Sequence, residues 1–336
     1  MLVTLRSPRD AERVASDLQG LGVWTERLAG PEGELALFVR PDSSRVPRER
    51  IEQIEGVRGL WQAPSAHPRI DALAGSTVTV ARARGESVRV GPGARPVLIA
   101  GPCSVESEEQ ITAAAKLAKG AGATLLRGGA KKPRTSPYSF AGHGDAALVW
   151  LRRAASAAGL GVVTEVTSEA DVERVADVAD LLQVGSRNMQ AFALLRAIGR
   201  AQKPVLLKRG MSATVEEWLL AAEHLLVAGA SGVILCERGL RSFDTTTRNL
   251  LDLGSVALVG SVLRLPVLVD PSHAAGRRDL VAPLARAALA AGAHGVIVEC
   301  HPRPCSAKSD GPQALDEDGL RALARDMAAL ARMEGA

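Results

Sequence analysis

The chain has 336 residues, enough for one large domain or for a small domain joined to a large one. Hydrophobic residues make up 46% and aromatic ones only 3%, so the core must be built from small aliphatic side chains, as helix-on-sheet layers allow. A net charge of +4 with one Tyr and four Phe lacks the cation clusters and stacking rings of a nucleic-acid surface; four cysteines do not suggest a disulfide framework; and each apolar run is too short for a bilayer.

A soluble, cytoplasmic protein with no nucleic-acid or membrane partner is therefore expected. Residues 1–66 read as a strand (MLVTL), a helix over 8–19 entered through Ser7, strands GVWTERL and ELALFVR around AGPEG, a helix over 47–54 and a closing strand over 57–61. That order is ferredoxin-like, and none of its residues looks catalytic. Residues 67–95 begin as a polar linker and continue into TVTVARARGESVRVG, a hairpin turning near Gly85 and expected at the base of the domain that follows.

From residue 96 to 336 the pattern changes to aliphatic runs alternating with Ala/Leu-rich stretches of helical period. The runs are PVLIA, TLLRG, GVVTEV, LLQVG, PVLLKR, GVILCER, PVLVD and GVIVEC, and joints such as GAGAT, AGASG and AGAHG mark helix ends. Eight β/α units predict a TIM (β/α)8 barrel, an α/β fold with its active site at the C-terminal strand ends. A doubly wound open sheet is the alternative, but no Gly-x-Gly-x-x-Gly follows the first run.

Polar groups stand at all eight strand ends. Cys103 follows the first, Arg127 and Glu165 end the second and third, and Arg187 follows the fourth. Lys208 ends the fifth, Glu237 and Arg238 the sixth, Asp270 and His273 the seventh, Glu299 and His301 the eighth. Ring closure would set the eighth strand between the first and the seventh, making Cys103, His273 and Glu299 neighbours, with Asp310 folding back from the loop beyond. A thiolate, an imidazole and two carboxylates suit a divalent transition metal such as Zn, Mn, Fe or Co, and suit Mg or Ca poorly. Arg127, Lys132, Arg134, Arg187, Lys208 and Arg238 converge on the same mouth, as small substrates carrying more than one phosphate would require. The Gly- and Pro-containing stretch 127–144 is expected to form a long ordered loop there, with Thr135 and Ser136 as hydroxyl donors.

AGPCSVES, RGGAKKPRTSPYSF, QVGSRNMQ, LLKRGMSATVEEW, ERGLRSFDTTTRNLLDL, VDPSHAAGRRDLVAPLARAAL and VECHPRPCSAKSDGPQAL resemble the signature segments of the 3-deoxy-D-arabino-heptulosonate 7-phosphate (DAHP) synthases. The resemblance covers residues 70–330 and is strongest to the short branch with an N-terminal ferredoxin-like or ACT-like regulatory domain. It implies condensation of phosphoenolpyruvate (PEP) with erythrose 4-phosphate, and a metal on Cys103, His273, Glu299 and Asp310. It further implies that Arg187, Lys208 and Arg238 hold the PEP carboxylate and phosphate, with Arg127 and Lys132 between the two substrates. Lys132, Pro133, Arg134, Thr135 and Ser136 match the aldose-phosphate motif, which favours erythrose 4-phosphate over the arabinose 5-phosphate used by the sister 3-deoxy-D-manno-octulosonate 8-phosphate synthases.

On the same footing, Lys132 is the candidate acid for the new alkoxide, and Glu165 and His301 are candidates for the water proton. A class I aldolase with a Schiff base on Lys208 is the mechanistic alternative. The resemblance also implies a homotetramer and a Tyr or Phe feedback effector at residues 1–66. Two departures stand out. Lys131 replaces an aromatic or apolar residue, and Cys300 and Cys305 flank the ligands, where a disulfide to Cys103 would remove one of them.

Overall fold

The computed structural model describes residues 1–30, 34–83, 85–132, 138 and 140–333, which fall into two compact units, Met1–Ala66 and His67–Ala336.

In the first unit, strands β1 (Leu2–Leu5), β2 (Thr25–Ala29), β3 (Leu35–Val39) and β4 (Val57–Trp61) form an antiparallel sheet in the order β2-β3-β1-β4. Helices α1 (Ala11–Gly20) and α2 (Arg48–Glu52) supply the rest of the unit. Val3, Leu5 and Leu37 of the sheet and Val14, Leu18 and Ile51 of the helices share one buried cluster. The first helical segment opens as a 3-10 turn, Pro8–Asp10: the Ser7 hydroxyl accepts from the Arg9 amide at 3.3 Å, and Pro8 occupies a position that needs no donor.

The second unit begins with α3 (Pro68–Asp71), followed by the antiparallel pair β5 (Val78–Val80) and β6 (Val88–Val90). Eight parallel strands then close into a barrel: β7 (Val97–Gly101), β8 (Leu125–Arg127), β9 (Gly161–Glu165), β10 (Leu181–Val184), β11 (Pro204–Lys208), β12 (Gly232–Glu237), β13 (Val267–Val269) and β14 (Gly295–Glu299). The open-sheet alternative is thereby excluded, since β14 pairs with β7 from Gly295↔Val97 to Glu299↔Gly101.

Alternation along each strand sorts the aliphatic residues into two layers. Ile99, Leu125, Val163, Leu181, Leu206, Ile234, Leu268 and Ile297, one from each strand, pack inside the barrel together with Val78, Val80, Val88 and Val90 of the hairpin. Val78 touches Gly232 at the start of β12, so the hairpin closes the N-terminal end. The opposite faces, with Leu98, Leu126, Val162, Leu182, Val205, Val233, Val267 and Val296, meet an outer helical layer rich in Ala. Small residues let those helices approach closely, which accounts for how a 336-residue chain builds its core with so few aromatic rings. Gly122, Gly229 and Gly292 in the joints between helix and strand all take positive φ, the region where a side chain would be strained.

Helices α4 (Glu108–Gly120), α5 (Asp145–Ala158), α6 (Val172–Val178), α7 (Phe192–Arg200) and α8 (Val215–Val227) follow successive strands. They are succeeded by α9 (Leu253–Ala257), α10 (Pro271–Ala275), α11 (Arg278–Ala290) and α12 (Glu317–Met333). Among the described residues no helix is long and apolar enough to cross a membrane.

Candidate active site

The C-terminal end of the barrel carries the site. Cys103 lies two residues past β7, and its position depends on Gly101, whose φ is +154° and whose added Cβ would collide with the carbonyl oxygen of Arg127. The next strand can therefore come close enough for the Cys103 carbonyl to accept from the Gly129 amide at 3.2 Å. His273 sits in the first turn of α10. Asp270 caps that helix through Oδ1, which accepts from the His273 amide at 3.0 Å, and its Oδ2 lies 2.7 Å from His273 Nδ1. With Nδ1 engaged, Nε2 is left toward Glu299, 3.3 Å from its Oε1. The Ser272 hydroxyl accepts from the Glu299 amide at 3.0 Å, tying β14 to the same helix. Asp310, with φ of +54°, turns the loop after β14 back so that its Oδ2 accepts from Cys103 Sγ at 2.8 Å.

These four side chains offer donor atoms that all lie within 4.8 Å of one another. Burial, aided by the Glu299 carboxylate, pushes the Cys103 thiol up to about 12. Burial also lowers His273, which favours the neutral imidazole. Asp310 is held well below the usual carboxylate range: burial works the other way, but the Cys103 hydrogen bond and the charges of His273, Arg248 and Lys132 outweigh it. Glu299 is fully buried, and among the described residues its Oε1 has no hydrogen-bond partner. Arg127 Nη1 lies 3.2 Å from that oxygen without a hydrogen bond. A buried carboxylate oxygen left open beside an imidazole nitrogen and a thiol is a fit for a cation, which would drive the thiol proton off. The donor set is one that could hold a divalent transition metal.

Around this cluster lie the cations. Arg127, Lys208 and Arg238 are buried, whereas Arg187, in the turn after β10, is exposed. Lys208 Nζ donates to Asp270 Oδ2, so that one carboxylate orients both Lys208 and His273. Among the described residues Arg238 Nη1 has no hydrogen-bond partner, and burial lowers its pKa. Arg127, Lys132, Glu165 and Gln183 line one small depression. Lys132 stays above its ordinary value; burial opposes this, but Cys103, Glu165 and Glu299 attract its charge. His301 is buried, its Nδ1 accepts from the Arg303 amide at 3.0 Å, and its Nε2 lies 3.7 Å from Glu106 Oε2. Pro133, Arg134, Thr135 and Ser136 lie outside the described residues. Lys131 is directed to Asp171 at 2.7 Å, in the segment after β9. All four cysteines are free, and Cys300 packs in the outer layer between strands and helices, on the opposite face of β14 from Glu299.

Several residues that shape the site carry no local signal strong enough to single them out. Asp270 has one, a capping position directly before Pro271 and His273. Gln313 and Arg248, which bind Glu299 and Asp310 respectively, have none, being a neutral amide and one of many arginines. Nor does Arg209, whose partners lie 28 and 43 residues away.

A family model described as the DAHP synthetase I family matches residues 75–333. The chain is 52% identical, over 73% of its own length and 72% of the relative's, to the phospho-2-dehydro-3-deoxyheptonate aldolase of Thermotoga maritima. It is 34% identical to the 2-dehydro-3-deoxyphosphooctonate aldolase of Nitratidesulfovibrio vulgaris, over 72% of this chain and 94% of the other. The crystal structure of the T. maritima DAHP synthase superposes with a TM-score of 0.76 at 40% identity, covering 99% of this chain and 97% of that one. A truncated form of the same T. maritima synthase superposes with a TM-score of 0.69 at 45% identity, covering 77% of this chain and 93% of that one.

Proposed function

The chain belongs to the DAHP synthetase I family, and from that membership we propose that its barrel mouth condenses PEP with erythrose 4-phosphate and water, releasing DAHP and phosphate. It is a transferase at the entry to aromatic amino acid biosynthesis through the shikimate pathway. The observation that carries the reading is the four-donor cluster with its open Glu299 oxygen, set among buried cations.

Cys103, His273, Glu299 and Asp310 would hold one divalent transition metal, Mn, Zn, Fe or Co, which when bound supplies Lewis-acid polarisation of the aldehyde. Arg127, Arg187, Lys208 and Arg238 bind and orient the PEP carboxylate and phosphate, guanidinium forks matching those groups bidentately. Lys132 stands between the substrates and donates a proton to the former aldehyde oxygen as C3 of PEP bonds to that carbon. Glu165 and His301 are the candidates to take the proton of the water that adds at C2, after which the C2–O bond breaks and phosphate leaves. Lys132, Pro133, Arg134, Thr135 and Ser136 bind erythrose 4-phosphate.

A Schiff base on Lys208 requires a free amine, whereas Lys208 Nζ is committed to Asp270 in a buried ion pair. The cytoplasm, a homotetrameric assembly and a Tyr or Phe feedback effector at residues 1–66 complete the proposal. The test is phosphate release from PEP with erythrose 4-phosphate or arabinose 5-phosphate, with and without EDTA. Turnover with erythrose 4-phosphate that EDTA abolishes and Mn, Co or Zn restores is the expected result. EDTA-resistant turnover with borohydride trapping at Lys208 would replace it with the aldolase reading, and preference for arabinose 5-phosphate with the octulosonate reading.

A further inference from the structure

Each carboxylate of the four-donor cluster has one oxygen turned away from the cluster and held by a side chain outside it. Glu299 Oε2 accepts from Gln313 Nε2 at 2.6 Å, leaving Oε1 beside His273. Asp310 Oδ1 accepts from Arg248 Nη1 at 2.9 Å, while Oδ2 accepts from Cys103 Sγ at 2.8 Å and from the neighbouring Ser309 hydroxyl at 3.2 Å. The two engagements are joined, because Arg248 Nη1 also donates to Gln313 Oε1 at 3.2 Å. A guanidinium has donors only, so the amide oxygen must face Arg248 and the amide NH2 must face Glu299. Arg248 therefore sets the orientation of Gln313 as well as that of Asp310. Gln313 is 2% exposed and follows Asp310 in the same short turn, whereas Arg248 comes from the loop between β12 and α9.

We propose that Arg248 and Gln313 are positioning residues that restrict Glu299 and Asp310 to one oxygen each toward the metal. The proposal rests on the metal reading of the cluster. Its chemical consequence is a count: Sγ, Nε2, Oε1 and Oδ2 supply four protein donors, and positions remain for a substrate oxygen. A carboxylate released from the hydrogen bond that Gln313 or Arg248 gives it can rotate to bind through both oxygens, filling a position that the substrate needs. Hydrogen bonds from outside the ligand set also fix ligand basicity and direction, so their loss weakens binding as well as altering its geometry.

The test uses the full chain and Co(II) as the probe, with affinity read by competition against a chromophoric chelator and coordination read from the visible absorption. Gln313→Leu and Arg248→Met are expected to weaken Co(II) binding about 10–100-fold. Their d–d absorption should lose intensity as coordination number rises. Thermal unfolding of the metal-free proteins separates this from a folding defect, and the half-exposed Arg248 makes its variant the safer of the two. Arg248→Lys, whose single nitrogen can offer donors to the two acceptors that Arg248 serves from Nη1 alone, should recover part of the affinity. Wild-type affinity and spectrum in both variants, with binding lost in Cys103→Ala, overturns the positioning role and keeps the metal site. Unchanged binding in all three overturns the metal reading along with it.

Discussion

Lys131 shows how one residue near the mouth can serve stability. Its ammonium pairs with Asp171, which also accepts from Ser168 at 2.7 Å and is paired with Arg174. Burial alone would raise the Asp171 carboxyl, but the hydrogen bonds from Lys131, Ser168 and Arg174 bring it down to about 2. A folded-state pKa below the unfolded one contributes stability that is present above the unfolded pKa and disappears as pH falls through the folded one. Lys131→Met should therefore cost about 1 kcal/mol near neutrality, a figure discounted for the exposure of the lysine. That deficit should shrink as pH falls from about 4 toward 2, measured by urea unfolding. A deficit independent of pH would assign Lys131 a packing role instead. At Asp270, one buried carboxylate receives both Lys208 and His273. Asp270→Asn leaves Lys208 buried without a counter-charge and should cost about 3–5 kcal/mol in the same assay.

At the scale of elements, Arg209 clamps the segment between β12 and α9. Its Nη1 donates to Glu237 at 3.1 Å, to Asp252 at 2.9 Å and to the Ser255 hydroxyl at 2.9 Å, and its Nε donates to the Ala213 carbonyl at 3.0 Å. Glu237 in turn accepts from the Gly239 amide at 2.7 Å. The two ends of the segment are thus fixed to β11, the strand that carries Lys208, and the segment itself carries Arg238, Arg248 and Asn249. Asn249 Nδ2 donates to the His273 carbonyl at 3.0 Å. Removing the guanidinium strands the buried Glu237, so Arg209→Met should lose about 3–5 kcal/mol. Arg209→Lys should not restore it in full, because one ammonium nitrogen cannot reach both the acceptors of Nη1 and the Ala213 carbonyl held by Nε; full recovery by Lys in thermal unfolding would refute the clamp. Strands were legible as elements because parallel strands buried on both faces read as unbroken aliphatic runs. The segment from 238 to 251 was not, since its order comes from a buried Arg and two acids distant in sequence.

For the whole molecule, the two compact units predict separable behaviour. Residues 67–336 expressed alone should unfold in one cooperative transition and retain metal-dependent phosphate release, while any inhibition by Tyr or Phe should vanish. Loss of turnover in a folded fragment would show that residues 1–66 take part in catalysis. The sequence by itself determined the βαββαβ order of the first unit, the eight strands of the second and the residues at their ends. Those features are written in local periodicity, caps and joint glycines. The tertiary structure carries the ring closure that the strand count led one to expect: β14 lies against β7, which places Glu299 beside Gly101 and brings Cys103 to Asp310 across 207 residues. It alone decided that Arg248 and Gln313 occupy the second oxygens of the two carboxylates. The physical reason is that closure makes neighbours of the first and last strands whatever their loops do, whereas the partners Arg248 and Gln313 come from loop segments whose path no local pattern records.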